Sequence, residues 1–198
     1  MPGKDLLILK TAERLFAAGR YHEITLDHLC KEAGIGKGTV YRYFEDKDDL
    51  YYQVILRGLD ELVASVREVA EREQDPAQGL RLAARRLTDF FADRHSLFSL
   101  MWSEQLRASA HKRKAWKQWQ SKSDKIVDVL AGFISKGVQN NVYELDGLSP
   151  AAAARLLMGM LRTGMRYRDE MPDSKDWAAS AVDLFERGLR SRDDDTVE

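Results

Sequence analysis

The sequence predicts an all-α protein: an N-terminal three-helix domain joined by a long helix to a larger C-terminal helical domain. Three observations carry that prediction. Apolar residues recur at helical spacing through most of the 198 residues. No segment shows the two-residue alternation of a half-buried strand. The four prolines stand near expected helix boundaries rather than inside the periodic runs.

Each element can be justified in order. A first helix is expected from about Asp5 to Ala18, with Ile8, Ala12, Leu15 and Phe16 as its apolar stripe and Gly19 as its stop. Thr25 caps a second helix in which Leu26, Leu29 and Cys30 face inward and Asp27 favours the positive N-terminal end. Gly34 ends it, because a stop needing positive φ is cheapest at glycine. A short third helix, about Lys37 to Phe44, buries Val40 and Phe44 with Ile35. Asp46 and Asp49 form a capping-box-like start for a fourth helix, which continues through Leu50, Val54, Leu62, Val66 and Val69 to about Glu73. Pro76 opens a fifth, with Leu80, Ala83, Leu87, Phe90 and Phe91 on its apolar side. A sixth is expected over 96–108 and a seventh over 109–137, the latter with Trp116, Trp119, Ile126, Val127, Leu130, Phe133 and Ile134. Ser149-Pro150 starts an eighth, to about Arg168, and a ninth spans about Ser174 to Leu189. The resulting division is 1–51, 52–190 and an acidic, uncapped tail at 191–198 expected to be disordered.

Composition narrows the class. Hydrophobic residues make up 44% and charged residues 32%, a balance suited to a soluble helical protein. No apolar run nears the roughly 18 residues of a membrane span, and the N-terminus lacks the order of a secretory signal. One cysteine, Cys30, excludes an internal disulfide and a Cys-based zinc site; its inward position favours a buried structural thiol over a redox sensor. The four histidines have no metal-ligand spacing, so no metal site and no cofactor are expected. A cytoplasmic location follows as the expectation. Residues 1–52 hold eight Lys/Arg against nine Asp/Glu, so the strongly basic footprint of many nucleic-acid binders is missing.

Residues 25–51 nevertheless read as two short helices around a glycine turn at Gly34-Ile35-Gly36, the build of a helix-turn-helix whose second helix enters the DNA major groove. The third helix turns Lys37, Gly38, Thr39, Tyr41, Arg42 and Tyr43 outward. Lysine and arginine donate to phosphates or guanine, and threonine and tyrosine hydroxyls reach phosphates. Gly38 lets the backbone approach a duplex closely. Neighbours two apart on a helix point about 200° apart, so Tyr41 and Tyr43 cannot both be core.

The run Ala33-Gly34-Ile35-Gly36-Lys37-Gly38-Thr39-Val40-Tyr41-Arg42-Tyr43-Phe44, followed by Asp46-Lys47-Asp48-Asp49-Leu50, closely resembles the signature of the tetracycline-repressor (TetR) family. The resemblance is specific over residues 8–55 and architectural beyond them. It implies DNA contact through the outward positions of the third helix, with Lys47, and Thr25 similarly placed, on the phosphate backbone. One departure is Gly36, where the family often has a capping serine. The resemblance also implies a palindromic operator on double-stranded DNA, a homodimer, and a small-molecule effector in a C-terminal cavity. Effector binding would move the fourth helix and respace the paired recognition helices.

Aromatic and methionine side chains suit a largely apolar cavity. The expected lining is Phe90, Phe98, Met101, Trp102, Trp116 and Met158, with Arg162 as a carboxylate anchor or a seam residue. The expected twofold seam draws on Leu156, Gly159 and Met160 of the eighth helix and Trp177, Ala181, Leu184 and Phe185 of the ninth. The basic run at 107–125 reads as a solvated helix face or, alternatively, an anion site. The functional expectation is a repressor released by a small molecule. The rivals are an activator, a protein-binding adaptor, or an all-helical enzyme, for which no nucleophile–base signature is present.

Overall fold

The computed structural model describes residues 3–19, 21–94, 110–167 and 177–189. Among them the chain is helical without strands: α1 (Lys4–Ala18), a 3-10 turn (Tyr21–Glu23), α2 (Leu26–Ala33), α3 (Lys37–Tyr41), α4 (Lys47–Arg72), α5 (Pro76–Asp93), α6 (Ala110–Gln139), α7 (Pro150–Arg166) and α8 (Trp177–Leu189). The all-α expectation holds. The helix expected over 96–108, with Phe98, Met101 and Trp102, lies outside the described residues, as do Arg107 and the tail at 191–198. The expected seventh, eighth and ninth helices correspond to α6, α7 and α8. No helix among the described residues is long and apolar enough to cross a membrane.

The chain divides into two compact units, Met1–Glu61 with Asp93–Lys122 and Leu62–Ala92 with Ser123–Glu198. In the first, Ile8, Ala12, Leu15 and Phe16 of α1 are buried with Leu29 and Cys30 of α2, Val40 of α3, Phe44, and Leu50, Tyr51 and Val54 of α4. This core carries α3, which at five residues is far too short to be stable alone. Val40 and Phe44 anchor it, each worth roughly 1.5–3 kcal/mol when fully buried. The helix is shorter than the sequence suggests, but Phe44 N–H still bonds Val40 O at 3.0 Å, so the winding reaches Phe44.

The boundaries are chemical. The Thr25 hydroxyl accepts from His28 N–H at 3.1 Å and caps α2. Gly34 ends α2 at φ 65°, and Ile35 N–H bonds Cys30 O at 3.0 Å across it. Before α4, Asp46 accepts from Asp49 N–H at 2.8 Å while the Asp49 carboxylate accepts from Glu45 N–H at 3.0 Å. That is a reciprocal cap, with the return bond one residue earlier than in the usual box. Its 26 residues make α4 about 39 Å long. Val54, Ile55 and Leu56 are all buried, so α4 is covered on several sides where the sequence suggested one stripe.

In the second unit, Leu80, Ala83 and Leu87 of α5 meet expectation, as do Ile126, Val127, Leu130, Phe133 and Ile134 of α6. Trp116, in the stretch of α6 that belongs to the first unit, does not continue that stripe. It is 42% exposed, and the adjacent Ala115 takes the inward position. A polar cluster unseen in the sequence ties three segments of this unit together. Arg81 of α5 bonds Asp183 and Glu186 of α8 at 2.8 and 2.7 Å, and Tyr143 O–H donates to the buried Glu186. Burial, then the Glu186 bond, pushes the Tyr143 phenol up, so it stays protonated.

Candidate nucleic-acid interface

The face expected to read DNA is assembled at α2 and α3 by the Gly34 turn. Lys37, Gly38, Tyr41, Arg42 and Tyr43 are exposed and Thr39 is half-buried. Tyr41, the last residue of α3, is 54% exposed and Tyr43, just beyond it, 37%. The Arg42 guanidinium lies 5.1 Å from the Tyr43 ring centroid, which braces a flexible cation beside a hydroxyl-bearing ring. At Gly36 and Gly38 a Cβ would meet nothing within 4 Å. Open space there is what close approach of another molecule to the backbone requires. Gly36 caps α3 without a side-chain bond, while Thr39 N–H bonds Gly36 O at 2.9 Å.

Lys37 is not a free cation. Its ammonium lies 2.6 Å from the Asp27 carboxylate, with both side chains more than half exposed. That bond holds the Lys37 ammonium above its usual range. Thr25 is exposed, and its oxygen is already used in capping α2, leaving the O–H as its remaining donor. Arg14 of α1 pairs with Glu32 of α2 at 2.6 Å and pulls the Glu32 carboxyl below the usual range.

Lys47, expected on the phosphate backbone, is turned inward. Its Nζ donates to Tyr21 O and Ile24 O, both at 2.7 Å, and lies 4.0 Å from the Tyr21 ring centroid. Burial pushes the ammonium below its ordinary range. Tyr21 O–H donates to Asp48, and burial followed by that bond pushes the phenol up. The start of α4 thus clasps the connection between α1 and α2. An aromatic cluster backs the clasp, with Tyr21–Tyr51 centroids 5.0 Å apart and Phe16–Tyr51 5.3 Å apart. Sequence reading missed Tyr21, Asp48 and the partnership of Lys47, because all three meet across more than twenty residues. Cys30 is buried, and burial holds its thiol protonated.

Of the expected cavity lining, Phe90 and Met158 are half-buried, whereas Trp116 and Arg162 are exposed. Of the expected seam, Leu156 and Leu184 are 56% and 66% exposed, and Gly159, Met160, Trp177 and Ala181 are half-buried. Phe185 is buried in the chain's own core at 8%. In the basic run, Lys122 pairs with Asp60, and Asp124 is held by Arg155 at 3.0 Å. Among the described residues no group of three or more His, Cys, Asp or Glu is placed to hold a metal ion.

These features define a helix-turn-helix domain with an exposed, aromatic and cationic second helix. Residues 8–54 match the family model of bacterial regulatory proteins, tetR family. Over those residues the chain is similar to the TetR family. HTH-type transcriptional regulators from Staphylococcus aureus strains USA300 and NCTC 8325 are 32% identical over 90 residues, 46% of this chain and 49% of theirs. The chain thus matches about half the length of these curated relatives. The fold is shared with the TetR family regulator PfmR from Thermus thermophilus, with a TM-score of 0.68 and 24% identity over 93% of this chain and 99% of that one. It is also shared with FadR from Bacillus subtilis in complex with stearoyl-CoA: TM-score 0.70, 19% identity, the same shares covered.

Proposed function

We propose that this protein is a DNA-binding transcriptional regulator, acting in the cytoplasm as a twofold dimer on a palindromic operator and released by a small molecule. The observation that carries the reading is α3 itself. Lys37 and Tyr41 of α3 and Arg42 and Tyr43 just past its end are all exposed, and Gly36 before the helix and Gly38 within it leave the backbone open. Single exposed aromatics are ordinary, so what supports the reading is the combination of two hydroxyl-bearing rings with two cations on the segment that follows the Gly34 turn. One short helix reads too few base pairs for genomic specificity, so two half-sites about 34–36 Å apart are required. Release follows when an effector shifts the population towards a spacing that no longer fits two major grooves. Coupling of roughly 1–3 kcal/mol changes operator affinity about 5–150-fold. FadR, with stearoyl-CoA, makes acyl-CoA the first compound class to test.

The test is selection of duplexes from a random pool by the full chain, followed by binding of the enriched DNA. A palindromic motif is expected. Tyr41→Ala and Arg42→Ala should weaken binding and relax preference at particular positions by about 1–3 kcal/mol. If no sequence enriches, or all the α3 variants bind as the native chain does, the reading fails.

A further inference from the structure

We propose that Asp27 is a selectivity-determining residue, holding Lys37 in an ion pair that DNA must displace before the lysine can bind. The inference rests on the DNA-binding reading above and assigns a role within the same face. Asp27 is the second residue of α2 and Lys37 the first of α3, and the Gly34 turn brings their charged groups to 2.6 Å. Neither side chain is buried, so the pair stands in water at the first residue of α3, the helix proposed to enter the groove. Surface pairs of this kind add little to folding stability. The pair is therefore free to be exchanged at small structural cost.

Its consequence lies in what a phosphate can offer. Non-specific affinity comes from cations that neutralise phosphates and release the counterions condensed on DNA. A lysine already neutralised by a carboxylate gains little by trading it for one phosphate oxygen. Asp27 so reduces what Lys37 adds to a non-specific complex. The first residues of a recognition helix contact base edges. A site that aims guanine O6 and N7 at Lys37 in a desolvated groove offers two acceptors and repays the exchange. The near-neutral charge of residues 1–52 fits such a design, because a reading head without excess cations depends on the acceptors it meets. Lys37 then contributes chiefly where the sequence is right.

The experiment measures fluorescence anisotropy of the full chain on two duplexes across a KCl series. One duplex is of mixed sequence, and the other is enriched from a random pool by the native protein. The variants are Asp27→Asn, Asp27→Ser, Lys37→Ala and Asp27→Asn with Lys37→Ala, each checked by thermal melting. Both single Asp27 variants should bind the mixed duplex about threefold more tightly at low salt. Their log–log salt slope should steepen by about one unit per Lys37 engaged. Binding to the enriched duplex should tighten less, so the ratio between the two falls. With Lys37 already alanine, the Asp27 change should have no effect. The proposal is overturned if Asp27→Asn and Asp27→Ser leave both duplexes bound as in the native chain. It is equally overturned if the gain persists without Lys37, since Asp27 would then act alone by repelling phosphates. Failure of the native chain to bind any duplex would instead sink the DNA-binding reading itself.

Discussion

Lys47 uses two of its three N–H donors on the carbonyls of Tyr21 and Ile24, and its charge rests beside the Tyr21 ring. Substitution by methionine would keep the apolar stem and remove both donors. Hydrogen bonds to a charged group contribute about 1.5–3 kcal/mol net when buried, and this ammonium is only partly so. Lys47→Met should therefore lower stability by about 1–3 kcal/mol. For a chain of this size that is a fall of several degrees in melting temperature. Tyr21→Phe, which loses one bond to Asp48, should cost less. A lysine used on DNA phosphate would behave differently, with stability unchanged and a salt slope shallower by about one unit. Melting curves beside a salt series separate the two. An unchanged melt for Lys47→Met would show that the clasp contributes nothing.

At the level of elements, two glycines in helices make opposite predictions. Gly38 sits in α3 with open space where a Cβ would be, whereas a Cβ on Gly79 of α5 would collide with the ring of Phe133. Alanine is intrinsically better in a helix than glycine by up to about 1 kcal/mol. Gly38→Ala should keep or slightly raise stability while weakening DNA binding, because on the proposed reading the new methyl would stand where a duplex approaches. Gly79→Ala should instead lower stability by about 1–3 kcal/mol through overpacking. Urea denaturation and anisotropy on the same samples test both, and a Gly38→Ala variant that binds DNA normally would remove the close-approach argument. The same elements show what a sequence makes legible. Thr25, Gly34 and the Asp46/Asp49 cap were readable because each is a local event, settled within about five residues. The exposure of Tyr41 or Tyr43 followed from helix geometry alone. The Lys47 clasp, the Asp27–Lys37 pair and the Arg81–Glu186–Tyr143 cluster were not readable, since periodicity says which face is buried but not which charge finds which partner. Trp116 misled for a related reason: a large apolar side chain was counted on a stripe that the small Ala115 occupies.

For the whole molecule, the dimer is where the proposed function is most exposed to failure. Leu184 is 66% exposed on α8 and Leu156 is 56% exposed on α7, large apolar side chains left in water by the single chain. Phe185, one residue from Leu184, is buried in the chain's own core and cannot report on assembly. A charge at Phe185 would be forced into that core unpaired and should unfold the chain. A charge at Leu184 meets only water in the monomer and an apolar surface in a dimer. Leu184→Glu should therefore leave the melting transition of the monomer close to native while shifting light scattering from dimer to monomer, because burying two unpaired carboxylates at a twofold seam costs several kcal/mol. Affinity for an enriched palindrome should fall with dimerisation, and a single half-site should lose much less. A native chain that scatters as a monomer at micromolar concentration, or a Leu184→Glu variant that remains a dimer, would place the seam elsewhere or remove it. A monomeric variant that binds the palindrome as tightly as the native chain would break the link between assembly and recognition.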